Sequence, residues 1–266
     1  MSTTGLDHVG VAVPDLSAAA AEWEALGFTV QPLAPHLSNG QPTGTIGQGV
    51  PAGTGNRNIM LRQGYIELLA TIDPARPSAT IARFLAHHTG IHVLTLATDD
   101  EDAALARLTR AGFSAALARS SRPADPADPT GPPAEFARIP LIDADPRLQL
   151  LRHRTPELVW QPRFLAHRNR AIGLCEVIVA ADTAFAARLA RAAGLPVQPD
   201  PAGGTVLRLP GQQAVRVLPP EAATRLLPGA IIPALPAILG LVIQTEDPAA
   251  APAIGHASGV TIRFTA

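Results

Sequence analysis

The chain of 266 residues contains no lysine; all 21 of its basic residues are arginine. Schiff-base chemistry, lysine general bases and a Walker-type phosphate loop are therefore excluded. A single cysteine, Cys175, rules out an intrachain disulfide and a cysteine-rich metal knuckle, and it makes a reducing, cytoplasmic setting the expectation. Charge of either sign is scarce at 16%, and the arginines nearly cancel 22 acidic residues to leave −1. No field of one sign is available to draw in nucleic acid or anionic lipid. The N-terminus, Met1 to Asp7, lacks the basic start and apolar run of a signal peptide. The longest uncharged apolar stretch, Leu226 to Ile243, is interrupted by Pro228, Pro233 and Pro236, so it reads as a loop leading into a strand rather than a membrane helix. What the chain does have is 47% hydrophobic residues, enough for well-packed cores at a length suited to two domains of ~100–150 residues.

An internal repeat organises it. Four segments share a short apolar run, an aspartate, an alanine-rich stretch and a glycine. They start at His8, Ile91, Cys175 and Ile238, with aspartates Asp15, Asp100, Asp182 and Asp247 and glycines Gly27, Gly112, Gly194 and Gly259. The spacing from aspartate to glycine is 12 residues in all four. An aspartate that accepts from the first-turn amides and a glycine that takes a left-handed conformation bound a three-turn helix between two strands. Short extended runs are expected after the glycines, as at Phe28 to Val30. Pairs of strands follow: Arg57 to Arg62 with Tyr65 to Thr71 around Gln63-Gly64, Phe136 to Leu141 with Leu148 to His153 around Ala144 to Pro146, and Thr205 to Leu209 with Ala214 to Leu218. The unit is β-α-β-β-β, present about three and a half times, with the fourth copy ending at Ala266 after its second strand. The proline-rich stretch Arg122 to Pro133 reads as a loop. Leu158 to Asn169 reads as the linker between two module pairs, residues 1–157 and 158–266. The expected class is α+β, with tandem modules paired into curved mixed sheets that enclose a cleft.

Leu6-Asp-His-Val-Gly-Val-Ala-Val-Pro-Asp-Leu16, Leu26-Gly-Phe-Thr-Val30, Gly53 to Ile59 and Gly64-Tyr-Ile-Glu-Leu-Leu69 resemble the vicinal oxygen chelate superfamily, in particular its glyoxalase-like branch. That superfamily includes glyoxalase I, bleomycin-resistance proteins and extradiol dioxygenases. The resemblance implies metal ligands on the first and last strands of each module. Carried onto this chain, it gives His8 and His92 on first strands, with Glu67 and Gln149 on last strands. Glutamate is commoner than glutamine at the last place, which weighs against isomerase chemistry needing a second carboxylate.

The residues make part of that case unaided. Strand alternation puts His8 on a face with Gly10 and Ala12, stripped of bulk as a ligand cleft requires, while Val9, Val11 and Val13 face a helix. Glu67 shares a face with Tyr65 and Leu69 in an apolar run, where a buried carboxylate must be paired, hydrogen-bonded or metal-bound. Two histidines and a carboxylate suit a divalent metal such as Zn, Ni, Fe or Mn. Plainer fates exist for both: a backbone-bonded histidine, and a glutamate on the watery side of a sheet. Register also matters, because His8 precedes its aspartate by 7 residues and His92 by 8, and a slip of one turns every side chain over.

His36, Asn56, Arg57 and Tyr65 are candidate substrate contacts, arginine being suited to a carboxylate, and Glu67 is the candidate catalytic base. Gly44 to Gly55 lacks the strand-turn-helix setting of a nucleotide fingerprint, and Cys175 reads as an inert core thiol. The second pair offers Cys175 or Glu176, Arg216 and Gly240, from which no ligand set assembles; its expected role is structural, covering the first cleft or standing in for a partner subunit. Two functions remain open. One is a metal-dependent lyase, isomerase or dioxygenase acting on a small oxygenated molecule. The other is a metal-free protein that sequesters a small ligand in the manner of bleomycin-resistance proteins. Neither needs a nucleic acid or a membrane, and a homodimer is compatible with both.

Overall fold

The computed structural model describes residues 3–38, 50–125, 128–141 and 146–266. Module one runs β1 (Gly5–Ala12), α1 (Leu16–Ala25), β2 (Ala34–Ser38), β3 (Val50–Met60) and β4 (Tyr65–Thr71). Helix α2 (Ala79–Leu85) leads into module two, which comprises β5 (Gly90–Ala97), α3 (Glu101–Arg110), β6 (Ala118–Asp125), β7 (Asp128–Leu141) and β8 (Arg147–His153). After α4 (Pro156–Val159), module three comprises β9 (Ala171–Ala180), α5 (Thr183–Ala193), β10 (Val197–Pro199), β11 (Thr205–Leu209) and β12 (Gln213–Leu218). Helix α6 (Pro220–Leu226) precedes β13 (Ala237–Thr245), β14 (Ile254–Ala257) and β15 (Val260–Thr265) of module four.

The aspartates cap as their spacing implies. Asp15 accepts from the amides of Ser17 and Ala18, Asp100 from Ala103 and Asp182 from Phe185. The four repeat glycines all have positive φ. Module four departs from expectation: Asp247 caps only a 3-10 turn, Pro248–Ala250. Pro252 stops it, having no amide to donate and a ring that clashes with the preceding turn. The chain runs extended instead, and Ser258-Gly259, both at positive φ, turn a hairpin. Strand β15 then lies parallel to β13, so module four does have a last strand, contrary to the sequence reading. Phe28 to Val30 form no strand; Phe28 and Val30 pack in the core, and β2 begins four residues later.

The proline-rich stretch Arg122 to Pro133 is not a loop among its described residues. It forms the ends of β6 and β7, and Arg122 pairs with Ala134. Among the described residues strand β6 pairs only with β7, so proline's missing donor breaks no ladder on its other side there. Of the turn expected at Ala144 to Pro146, only Pro146 is described. The linker stretch is a packed segment: Val159 is buried, the Trp160 indole donates to the Leu61 carbonyl at 3.0 Å, and His167 bonds the Met60 carbonyl at 2.8 Å.

In each pair the two first strands run antiparallel side by side, β1 with β5 and β9 with β13, and each is parallel to its module's last strand. The pairs meet through a bridge between Ile238 and Ile91. One face of these sheets carries α1, α3 and α5 over a core common to both pairs, which includes Val9, Val11, Trp23, Leu108, Val177, Leu189, Ile243 and Ile262. The other face differs between the pairs. In the second pair it is filled by Ile178, Ala180, Leu218, Leu239 and Leu227 beneath α6. In the first pair it is open.

Candidate functional site

The open face is a cleft of about 470 Å³. Strand alternation supplies its walls: His8 from β1, His36 from β2, Asn56 and Asn58 from β3, Tyr65 and Glu67 from β4, His92 and Val93 from β5. Gln149 and Leu151 of β8 complete the opposite wall, and Ser78, Thr80 and Ile81 at the start of α2 border it. Arg57 is not brought to the cleft. It lies one residue out of phase with Asn56, and its guanidinium donates to the Gln31 carbonyl at 2.9 Å.

Two bulges decide how the histidines stand. Along β1 and β5, His8 faces Thr95 and Gly10 faces Val93, but Val11 then faces Ile91, which leaves His92 unopposed. Asp7 is skipped in the same way between Leu6 and His8. Each strand thus carries one extra residue, as a β-bulge does. The pseudo-twofold relation takes His8 to Val93, not to His92 as the matching tetrapeptides suggested. The bulge nevertheless turns His92 into the cleft. Glu67 lies level with Gly10, and Gln149 level with Thr95, so those two are true counterparts.

The contacts are specific. The Asp7 carboxylate accepts from His8 Nδ1 at 2.6 Å and lies 3.0 Å from His153 Nε2. Burial pushes Asp7 up, but His153 and His8 outweigh it and hold the carboxyl well below its usual range. On the other side of the ring, His8 Nε2 lies 3.0 Å from the Thr95 hydroxyl oxygen. The Gln149 amide donates to that same hydroxyl oxygen at 2.7 Å. Tyr65 stacks on His8 with ring centres 4.4 Å apart, and its phenol is pushed up by burial.

Glu67 Oε1 accepts from the Asn56 amide at 2.7 Å, and Oε2 lies 3.7 Å from His8 Nε2. His36 Nε2 stands 3.8 Å from Oε1, while its Nδ1 bonds the Thr54 hydroxyl. Burial raises the Glu67 carboxyl, and His8, His36 and the Asn56 amide more than offset it, so Glu67 is held ionised. His92 donates from Nδ1 to the Gly10 carbonyl at 2.9 Å, and its Nε2 is buried with no partner. Burial, reinforced by the charge of Arg147, lowers His92 to about 4, so it is neutral near pH 7. A methyl placed on Gly10 would lie 3.1 Å from His92 Cε1 and 3.6 Å from Glu67 Oε2, so both side chains overhang that glycine. Even so, among the described residues no three His, Cys, Asp or Glu side chains stand where they would hold a metal ion.

Sequence reasoning missed the far wall. Arg122, Arg138 and Arg147 come from β6, β7 and β8 and line the cleft with Phe136. The alternation Ala134, Phe136, Arg138 was the available signal, obscured by its neighbouring prolines.

A glyoxalase-like domain model matches residues 6–193. The chain belongs to the glyoxalase-like domain family. This glyoxalase-like protein therefore lies within the vicinal oxygen chelate superfamily, as its motifs implied. No curated protein matches it. Among solved structures it is similar to a hypothetical protein from Staphylococcus aureus, at 13% identity and a TM-score of 0.69, with 98% of each chain covered. It is similar also to a triple mutant of 4-hydroxymandelate synthase from Streptomyces coelicolor, at 17% identity and TM-score 0.57, covering 93% of this chain and 72% of that one. A third likeness is to a xylose isomerase-like TIM barrel/4-hydroxyphenylpyruvate dioxygenase fusion protein, at 14% identity and TM-score 0.52; 93% of this chain spans 38% of that one. These likenesses speak to the fold. No helix among the described residues is long and apolar enough to cross a membrane.

Proposed function

We propose that the cleft of modules one and two binds a small oxygenated organic molecule directly through its side chains, without a resident metal ion. The commitment of the candidate donors carries this reading. His8 Nε2 is engaged by the Thr95 hydroxyl, the amide of Gln149 donates to the same hydroxyl, and the counterpart of His8 is Val93. Ionised Glu67 then accepts a hydroxyl proton of the ligand, and the bare Nε2 of neutral His92 accepts a second hydrogen bond. Both groups are also placed to take a proton from a bound carbon or oxygen acid, which extends the reading to a lyase or isomerase acting with its own side chains.

One observation favours a second reading, a metal-dependent enzyme. A histidine fixed by Nδ1–H to a carbonyl, with Nε2 bare and buried, and another backed by a carboxylate are arrangements that orient metal ligands. On that reading His8, His92 and Glu67, with Gln149 beside them, would hold Zn, Ni, Fe or Mn, which would supply Lewis-acid chemistry. Metal analysis of untagged protein separates the two. Substoichiometric metal, unchanged in His92→Ala and Glu67→Gln, is the expected result. One retained equivalent that both substitutions abolish overturns the first reading and installs the second.

A further inference from the structure

Among the described residues, the cleft is lined by four arginines, Arg119, Arg122, Arg138 and Arg147, and by one carboxylate, Glu67. Arg122 is only 7% exposed. Its guanidinium reaches the Pro123 carbonyl at 3.4 Å, and Arg138 donates from Nε to the Ser120 hydroxyl at 3.1 Å. None of the ion pairs among the described residues involves Arg122, Arg138 or Arg147, although eight arginine–carboxylate pairs form elsewhere among them. Their shared acidic neighbour is Glu67, acting at longer range across the cleft.

Arginine does not shed its charge in a protein, so the cleft holds one buried and two half-buried cations facing one anion. Taking charge out of water without a partner is costly, and a structural role would be met as well by apolar residues such as those that fill the corresponding face of the second pair. The arginines line one face of neighbouring strands β6, β7 and β8, Arg122 level with Ala134, Arg138 four residues further along β7, and Arg147 beyond the Leu141–Leu148 pair. Opposite them, the cleft turns Glu67, Asn56 and His92 toward the same space, and Phe136, Leu151, Ile81 and Leu69 line it with apolar surface.

We infer that the ligand is a small organic anion of up to two negative charges, its charge met along the wall of Arg122, Arg138 and Arg147 and its oxygenated end turned to Glu67 and His92. The chemistry shared by a dicarboxylate and a phosphate monoester meets this demand, since planar guanidinium groups grip either in forked pairs. The inference rests on the proposed reading of the cleft as a direct binding site, but it stands or falls separately, because metal content tests the one and ligand charge the other.

The test is titration calorimetry with thermal melting on the full chain, using succinate, phenyl phosphate and their neutral counterparts succinamide and benzyl alcohol as probes. At least one anion should bind and raise the melting temperature at up to about 10 mM, where even millimolar affinity registers. The neutral probes should not. Arg138→Gln and the less buried Arg147→Gln should each weaken the bound anion by about tenfold or more, the loss expected of a charge-assisted contact. Which anion responds tells the carboxylate source from the phosphate source. Silence from both anions, equal binding of the neutral probes, or unchanged affinity in folded Arg147→Gln protein overturns the inference, whatever metal the protein holds.

Discussion

Adding one methyl group to the floor of the cleft should show how tightly that floor is built. In Gly10→Ala the new carbon would stand 2.5 Å from Val93 Cγ1 and 3.1 Å from His92 Cε1. Val93 is branched at its β carbon and buried in β5, so it has little rotamer freedom with which to withdraw. Overpacking of this kind costs about 1–3 kcal/mol. Alanine in place of glycine returns about 0.5–1 kcal/mol by narrowing the unfolded ensemble. The net expectation is a loss of up to about 2.5 kcal/mol, centred near 1, or a melting temperature lower by roughly 2–4 °C at that centre. Gly173 on β9 supplies the internal control, since a methyl there meets nothing closer than 3.7 Å. Gly173→Ala should be neutral or slightly stabilising by the same reasoning. Urea and thermal unfolding of the two variants, side by side, measure the difference. If Gly10→Ala proves as stable as Gly173→Ala, the floor yields freely, and the argument that His92 and Glu67 are held over Gly10 is wrong.

Glu101 offers a stability test remote from the cleft. Burial raises its carboxyl, but hydrogen bonds from Arg152 and Arg154 outweigh that and bring it to about 2 from 4.5. A depressed folded value contributes stability above the unfolded pKa, so the contribution should be complete above pH 4.5 and fade as pH falls toward 2. Both arginines keep part of their surface in water, which limits the effect to about 2 kcal/mol; Glu101→Gln should flatten the acid limb of a urea-midpoint profile by that amount. In the second pair, Arg216 grips Asp200 through two 2.7 Å bonds and lies 3.6 Å from Glu176. Arg216→Ala should cost about 1–3 kcal/mol by stranding the buried Asp200, yet leave phenyl phosphate affinity unchanged in calorimetry.

Much of this molecule was legible because capping and turn chemistry are local. An aspartate and a glycine 12 residues apart bound a helix in three copies whatever else surrounds them. The fourth copy kept the spacing and lost the helix, because Pro252 overrides a cap from within. The cleft was half legible. His8, Glu67 and Gln149 follow from strand phase alone, whereas the place of His92 depended on where the extra residue fell, in the turn at Thr98-Asp99 or in the strand. It fell in the strand, next to Gly10, and only pairing partners reveal that. The arginine wall was hidden for a different reason: proline argues against a strand in general, but not against one that, among the described residues, pairs on a single side.

The absence of an α-helix from module four gives the first pair a second task. The sheet face left bare there is covered from the other half. The Trp23 indole of α1 donates to the Ser258 hydroxyl, Glu22 receives both the amide and the hydroxyl of Ser258, and Phe28 stacks on Phe264. Helix α1 therefore serves two sheets at once, the one it belongs to and the one whose own helix was shortened away. Removing the second pair would unroof the helix that backs β1 and, through β1, the bulge that sets Asp7 beside His8. The second pair is thereby the anvil on which the cleft of the first is shaped.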